Sequence, residues 1–340
     1  MASWSRKAFC AATIHAIEFH QRIPSSRYHQ GTRAVPSSDH QPPQTAHVNG
    51  IDICYEIFGD ANAEPMVLIM GLGAQMIHWD DDFCRQLAAR GFRVIRFDNR
   101  DIGKSQKMTG GKRLTAVELL KLRFLRIPVA APYRLRDMAE DTIALMDHLH
   151  IRSAHIVGAS MGGMIAQEIA ITFPERVRSL TSIMSTTGNP KIPPPTREAA
   201  AVLMAPPPTS KEEYFARFAQ TWKVLRAGSF PEEEALDPSR AARTWERGLN
   251  PPGVGRQLRA ILASGSRKER LQLVKAPTLV IHGTVDPLVP PEGGRDTAAS
   301  ISGAKLVMID GMGHALPMRM WPQIIGAIEE HAKGAAAKAA

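Results

Sequence analysis

The stretch Ile156-Val157-Gly158-Ala159-Ser160-Met161-Gly162-Gly163 decides how this 340-residue chain is to be read. His155-Ile156-Val157 is a short strand-forming run. Met164–Phe173 behind it reads as a helix stopped by Pro174, which cannot continue one. Ser160 therefore stands on a strand-to-helix turn. A turn that sharp brings strand and helix close together, so the positions two before and two after the serine must be small, and both are glycine. The serine amide and its successor then lie at a helix N-terminus, where free N–H groups and the helix dipole favour developing negative charge. A G-x-S-x-G sequence by itself arises by chance in glycine-rich loops; its place between strand and helix gives it chemical meaning. A serine serving only as a helix N-cap would leave the flanking glycines unexplained.

Outward from this turn the chain alternates between strand and helix patterns. Ile51, Ile53, Tyr55 and Ile57 alternate with polar or small neighbours after Asn49-Gly50, the period of a half-buried strand following a turn. Pro65–Met70 is a continuous apolar run ending in Gly71-Leu72-Gly73, as a strand covered on both faces requires. A helix carrying Phe83, Leu87 and Ala88, the strand Val94–Phe97 and the helix Asp137–His150 lead to the serine turn, and Val177–Met184 is the next strand. Proline clusters at Pro193–Pro195, Pro206–Pro208 and Pro251-Pro252 then separate short helical stretches such as Lys211–Ala227. Alternation returns with strand Thr278–Ile281, a helix near Gly294–Ile301, strand Lys305–Ile309 and a last helix from Pro322 to about Ala332. The pattern predicts a mostly parallel sheet with helices on both faces. Residues 45–184 and 273–333 form its core, residues 185–272 a helical lid insertion over one end, residues 1–44 a mobile extension and residues 334–340 a flexible tail.

A serine hydroxyl is a weak nucleophile at neutral pH; it needs a histidine to take its proton and a carboxylate to orient that histidine. With a serine elbow of this kind the chain order is serine, acid, histidine. His314 lies in the glycine-flanked loop Asp310–Pro317 after the last strand and is the expected base. Its rival His282 ends a strand ahead of the acid and reads as structural; His148, His150 and His155 read as packing or surface residues. Asp286, in a proline-braced loop after the penultimate strand, is the expected acid, ahead of Asp310, which reads as a turn cap. The turn after Met184 offers no carboxylate.

These three segments, in this order, resemble the α/β-hydrolase superfamily from about residue 45 to 333. The resemblance implies an α/β-hydrolase fold and a serine carboxylesterase acting through an acyl-enzyme without metal or organic cofactor. It implies an oxyanion hole made by the Met161 amide and, from Met70-Gly71-Leu72-Gly73, the Leu72 amide. The common His-Gly-x-Pro form of that loop is absent. Asp98-Asn99-Arg100-Asp101-Ile102-Gly103-Lys104-Ser105 has Asp101 where many members carry glycine; Asp98, Arg100 and Asp101 read as structural. With Trp79, these features are similar to the branch containing aclacinomycin methylesterase and bacterial carboxylesterases. A serine at the elbow separates the chain from the epoxide and haloalkane hydrolases of this fold, which use aspartate there. Small-molecule methylesterases, acyltransferases, perhydrolases and carbon-carbon bond hydrolases use serine and stay open, as does a ligand-binding protein without turnover. Substrate choice is expected to reside in the insertion, with Leu203, Met204, Tyr214, Phe215, Phe218 and Trp222 lining a pocket or forming the insertion's own core.

Composition sets the outer limits. The net charge of +9 is spread along the chain without a recognition motif, which argues against a nucleic-acid partner. No apolar run approaches the roughly 20 residues of a membrane-spanning helix. Cys10, Cys54 and Cys84 lack the spacing of a metal site or disulfide framework. Arg6 and Lys7 before Ala8–Ile17 faintly resemble a signal peptide, but Glu18 and His20 follow without a small-residue cleavage site. The expectation is a cytoplasmic enzyme whose partner is a small-molecule ester; the oligomeric state is open.

Overall fold

The computed structural model describes residues 40–111, 114–120, 124–125, 127 and 129–339. Residues 1–39 of the expected extension, with its leader-like segment and Cys10, lie outside the described residues. In chain order the elements are β1 (His40–Val48), β2 (Ile51–Phe58), β3 (Glu64–Ile69), α1 (Asp81–Ala88), β4 (Phe92–Phe97), α2 (Ala116–Leu120), α3 (Leu135–His148), β5 (Ala154–Ala159), α4 (Met161–Thr172) and β6 (Val177–Ile183). There follow α5 (Arg197–Met204), α6 (Lys211–Leu225), α7 (Asp237–Glu246), α8 (Pro251–Ser264), α9 (Lys268–Leu271), β7 (Thr278–Gly283), α10 (Pro291–Ser300), β8 (Lys305–Ile309) and α11 (Trp321–Ala339).

The eight strands form one sheet in the order β1-β2-β4-β3-β5-β6-β7-β8. β1 and β2 are antiparallel to their neighbours, and the six strands from β4 to β8 run parallel. The apolar runs are continuous because each strand feeds two cores. Val67, Ile69, Ile95, Phe97, Ile156 and Leu180 face α3 and α4. Their sequence neighbours Met66, Leu68, Val94 and Val157 face Phe83 and Leu87 of α1 and Ile324, Ile325 and Ile328 of α11. Period-two geometry divides each run between the faces.

Chain order reverses direction between β3 and β5: β3 is followed outward by β4, and the chain then returns to place β5 on the other side of β3. Such a switch point opens a crevice at the carboxyl ends of the parallel strands. Ile69 of β3 is paired in register with Gly158 of β5, so the glycine loop after β3 and the serine turn after β5 emerge side by side.

Two expected boundaries move. β1 begins at His40, ahead of the boundary expected at Thr45, because Gln41 and Gln44 pair with β2 across a bulge at the prolines. Those residues are exposed, and the backbone ladder, not an apolar face, holds them. The tail expected to be flexible is instead the last turns of α11, which runs to Ala339; its Gly-Ala-Ala-Ala-Lys-Ala sequence is mostly strong helix formers. Among the described residues, no helix is long and apolar enough to cross a membrane.

Candidate active site

Ser160 joins β5 to α4 with φ 55° and ψ −119°, a left-handed conformation that costs a non-glycine residue about 1–3 kcal/mol. Its surroundings hold it there. The Ser160 amide donates to the Ile183 carbonyl (2.9 Å), and Ser185 Oγ donates to the Ser160 carbonyl (2.8 Å). A Cβ on Gly158 would overlap the Gly162 carbonyl, and one on Gly162 would overlap the carbonyl of Ile69. Both glycines are therefore dictated by backbone contact. Although Ser160 occupies the N-cap position, its side chain makes no capping bond.

That side chain instead faces His314, with Oγ 2.9 Å from Nε2. The other ring nitrogen, Nδ1, lies 2.7 Å from Asp286 Oδ2. An ionised carboxylate only accepts, so Nδ1 carries the imidazole proton and the bare Nε2 accepts from the serine hydroxyl. Asp286 is buried and fully oriented: its Oδ1 accepts from the Leu288 and Val289 amides, both at 2.9 Å. Gly283 lets the histidine loop cross the end of β7, since a Cβ there would overlap the Met312 carbonyl. The structure thus brings Ser160, Asp286 and His314 together from three strand ends.

The rivals lie elsewhere. Exposed Asp310 accepts from Thr284 Oγ1. His282 is wholly buried, its Nε2 donating to the Val289 carbonyl (2.8 Å) behind Asp286; burial pushes its pKa down. His155 pairs with Ser179 Oγ, His148 lies edge-on to Tyr55, and His150 takes a left-handed turn conformation.

Met161 is the first residue of α4. Across the crevice, a Cβ on Gly71 would lie 3.1 Å from the Ser160 Cβ, which sets the Gly71-Leu72 turn against the candidate nucleophile. Among the described residues the Met161 and Leu72 amides have no hydrogen-bond acceptor. Sequence reasoning missed the side chain that holds this turn: Gln257 of α8 accepts from the Gly73 amide (2.9 Å) and donates to the Arg100 carbonyl (2.9 Å). No local pattern distinguishes this glutamine from a surface residue.

The Asp98–Ser105 loop braces the site from below. Asp98 accepts from the Met76 and Lys104 amides, Arg100 makes a two-pronged bond to Asp141 at 2.6 Å each, and Asn99 donates to the Met70 carbonyl. Asp101, at φ 76°, explains why glycine suits this position. Its carboxylate accepts from Arg256 (2.6 and 2.9 Å), Tyr133 (2.6 Å) and the Met108 amide (2.8 Å).

A cavity beside the site is lined by Met70, Trp79, Met184, Ala315, Phe218 and Trp222, and also by Arg226, Glu233 and Arg240. Of the insertion residues expected to meet substrate, Phe218 and Trp222 reach it. Leu203, Met204 and Phe215 do not, and Tyr214 packs on Phe218 and Trp245 within the insertion. His78, also on the wall, is held neutral by burial and by the arginines around it, its pKa lowered to about 4. Among the described residues no group of three His, Cys, Asp or Glu is placed to hold a metal ion.

A serine elbow at a sheet switch point, a histidine and an aspartate from later strand ends, and an intervening helical segment define a class, and the chain belongs to it: it is a member of the alpha/beta hydrolase fold family, which matches residues 64–318. Over 307 residues it is 29% identical to rhodomycin D methylesterase DnrP of Streptomyces peucetius, spanning 82% of this chain and 94% of that one. The similarity to rhodomycin D methylesterase DauP of Streptomyces sp. (strain C5) is equal at 29%, over the same shares of each chain. The crystal structure of the enol-lactonase from Burkholderia xenovorans LB400 superposes with a TM-score of 0.67 at 22% identity, over 85% of this chain and 100% of that one. The last likeness is one of fold.

Proposed function

We propose that the protein is a serine hydrolase that cleaves carboxylic esters through an acyl-enzyme, with Ser160 as nucleophile, His314 as general base and acid, and Asp286 orienting the imidazole. The observation that carries this reading is the strained Ser160 backbone with Oγ 2.9 Å from His314 Nε2 and Asp286 2.7 Å behind it. Ser160 attacks the ester carbonyl as His314 takes its proton. The Met161 and Leu72 amides donate to the tetrahedral oxyanion. His314 returns the proton to the leaving alcohol, and water activated by the same ring releases the acid. The helices between β6 and β7 act as a lid, and the cavity lined by Phe218 and Trp222 takes one side of the ester.

Within this class, hydrolysis of a methyl ester is the narrower reading, supported by the two similar methylesterases. The buried thiols of Cys54 and Cys84 support a reducing, cytoplasmic setting. Ser160→Ala is expected to lower turnover of p-nitrophenyl and aromatic methyl esters by at least about 10⁴-fold and to abolish stoichiometric labelling by a fluorophosphonate. Retained turnover would sink the assignment. A wild-type protein that neither labels nor turns over any ester would point to a binding protein on this scaffold, and a product ratio that responds to added alcohol would point to acyl transfer.

A further inference from the structure

The base is held by the insertion as well as by the sheet. On the sheet side of the loop that carries His314, the Val285 amide donates to the Met312 carbonyl. The His314 amide itself turns the other way and donates to the carbonyl of Leu225, the last residue of α6, at 2.7 Å. A carbonyl at a helix C-terminus has no partner within its own helix, and here the loop supplies one. Gly313 is required beside it, because a Cβ would overlap the Leu225 carbonyl. Four residues beyond His314, the Met318 amide donates to Glu233 Oε1 at 2.7 Å.

Glu233 is only 3% exposed. Its second oxygen accepts from Arg240 Nη1 of α7 at 2.7 Å. The corner between α6 and α7 is further closed by the buried, two-pronged pair of Arg226 and Asp237, and it turns through left-handed Ala227, Gly228 and Phe230. One rigid corner therefore grips the base loop at both ends, at His314 and at Met318. Phe218 and Trp222, which reach the cavity, lie on the same side of α6 as Leu225, at intervals of four and three residues. The helix that would touch substrate is the one whose last carbonyl holds the base.

We propose that Glu233 is a positioning residue for His314, and that through it the α6–α7 corner sets the distance between the base and Ser160. The inference rests on the serine-hydrolase reading above. Displacement of a reacting group by about 1 Å costs up to roughly 100-fold in rate, so loss of the Met318 anchor is expected to appear in kcat. The decisive comparison is between Glu233→Ala and Glu233→Gln, with kcat expressed per site titrated by a fluorophosphonate so that unfolded protein does not count. Glu233→Ala should lower per-site kcat roughly 10- to 100-fold with KM within about two-fold. Glu233→Gln keeps the acceptor for the Met318 amide and should restore kcat to within about three-fold of wild type, although both variants lose the ionic bond to Arg240.

A Glu233→Ala enzyme with wild-type per-site kcat and only a lower Tm overturns the proposal, as does a Gln variant as slow as the Ala variant. Should the Ala variant fail to fold by circular dichroism, Met318→Pro carries the test: Met318 is 42% exposed, it follows Pro317 in extended backbone (ψ 141°) where proline fits, and the substitution removes the amide that donates to Glu233. A loss of three-fold or more in its per-site kcat supports the proposal, and an unchanged kcat overturns it. Ser160→Ala, assayed alongside, separates the two readings. Activity in that variant removes the nucleophile assignment, whereas an inactive Ser160→Ala beside an unimpaired Glu233→Ala removes only the role of Glu233.

Discussion

At the scale of single residues, function and stability pull against each other at the elbow. Ser160 carries a Cβ at a φ that glycine would adopt without strain. Ser160→Gly is therefore expected to be inactive but about 1 kcal/mol more stable in urea unfolding. The opposite holds two residues on, where the added Cβ of Gly162→Ala would overlap the Ile69 carbonyl. No flexible side chain can give way, so that variant should lose more than about 3 kcal/mol or fail to accumulate as folded protein. Asp101 obeys a third logic. Glycine would relax its backbone, yet its carboxylate neutralises buried Arg256 and accepts from Tyr133. Stranding a buried charge costs about 3–5 kcal/mol, more than the strain returns, so Asp101→Gly should lower the urea midpoint despite the favourable φ.

At the scale of elements, the helices between β6 and β7 hydrogen-bond to the loops that carry the candidate site. α8 reaches the glycine turn after β3 through Gln257 and the Asp101 loop through Arg256. Gln257→Leu leaves the Gly73 amide and Arg100 carbonyl without these partners. Under the proposed mechanism it is expected to reduce kcat roughly ten-fold, because a displaced Leu72 amide would stabilise the oxyanion less well; unchanged kcat in a folded variant would remove this role. α6 and α7 act on the other side, against the loop that bears His314. Their aromatic residues divide between two tasks. Phe218 and Trp222 meet the cavity, while Tyr214 and Trp245 pack against one another, an assignment that helical periodicity alone leaves undecided.

At the scale of the whole molecule, buried histidines tie stability to pH. Burial lowers the pKa of His331 from 6.5 to about 4, and that of His282 falls for the same reason. For such groups the unfolded chain binds the proton first as pH falls. Their contribution is complete above about pH 6.5 and is lost progressively as pH falls towards 4, with His331 alone costing up to about 3 kcal/mol below both values. Calorimetry should show Tm falling across this window, and His331→Gln should flatten the slope; an unaltered slope would exclude His331 as a source.

The sequence by itself determined the parallel core and the serine turn at its centre. Strands buried on both faces read as unbroken apolar runs, and the residues of a serine elbow are constrained by contacts only a few positions apart. It also placed Asp286 and His314 in loops at strand ends, because chain order and sheet direction leave few positions from which a side chain reaches the elbow. Tertiary structure alone decided three things. β1 begins at His40 because pairing with β2, not hydrophobic pattern, holds its exposed residues. Phe218 and Trp222, but not Leu203, Met204 or Phe215, line the cavity, a matter of how the helices between β6 and β7 dock that periodicity does not encode. Gln257, Leu225 and Glu233 act on the site through hydrogen bonds spanning 184, 89 and 85 residues, respectively. A polar residue or a backbone carbonyl leaves no periodic trace of such a partner; only the folded chain brings the two ends together.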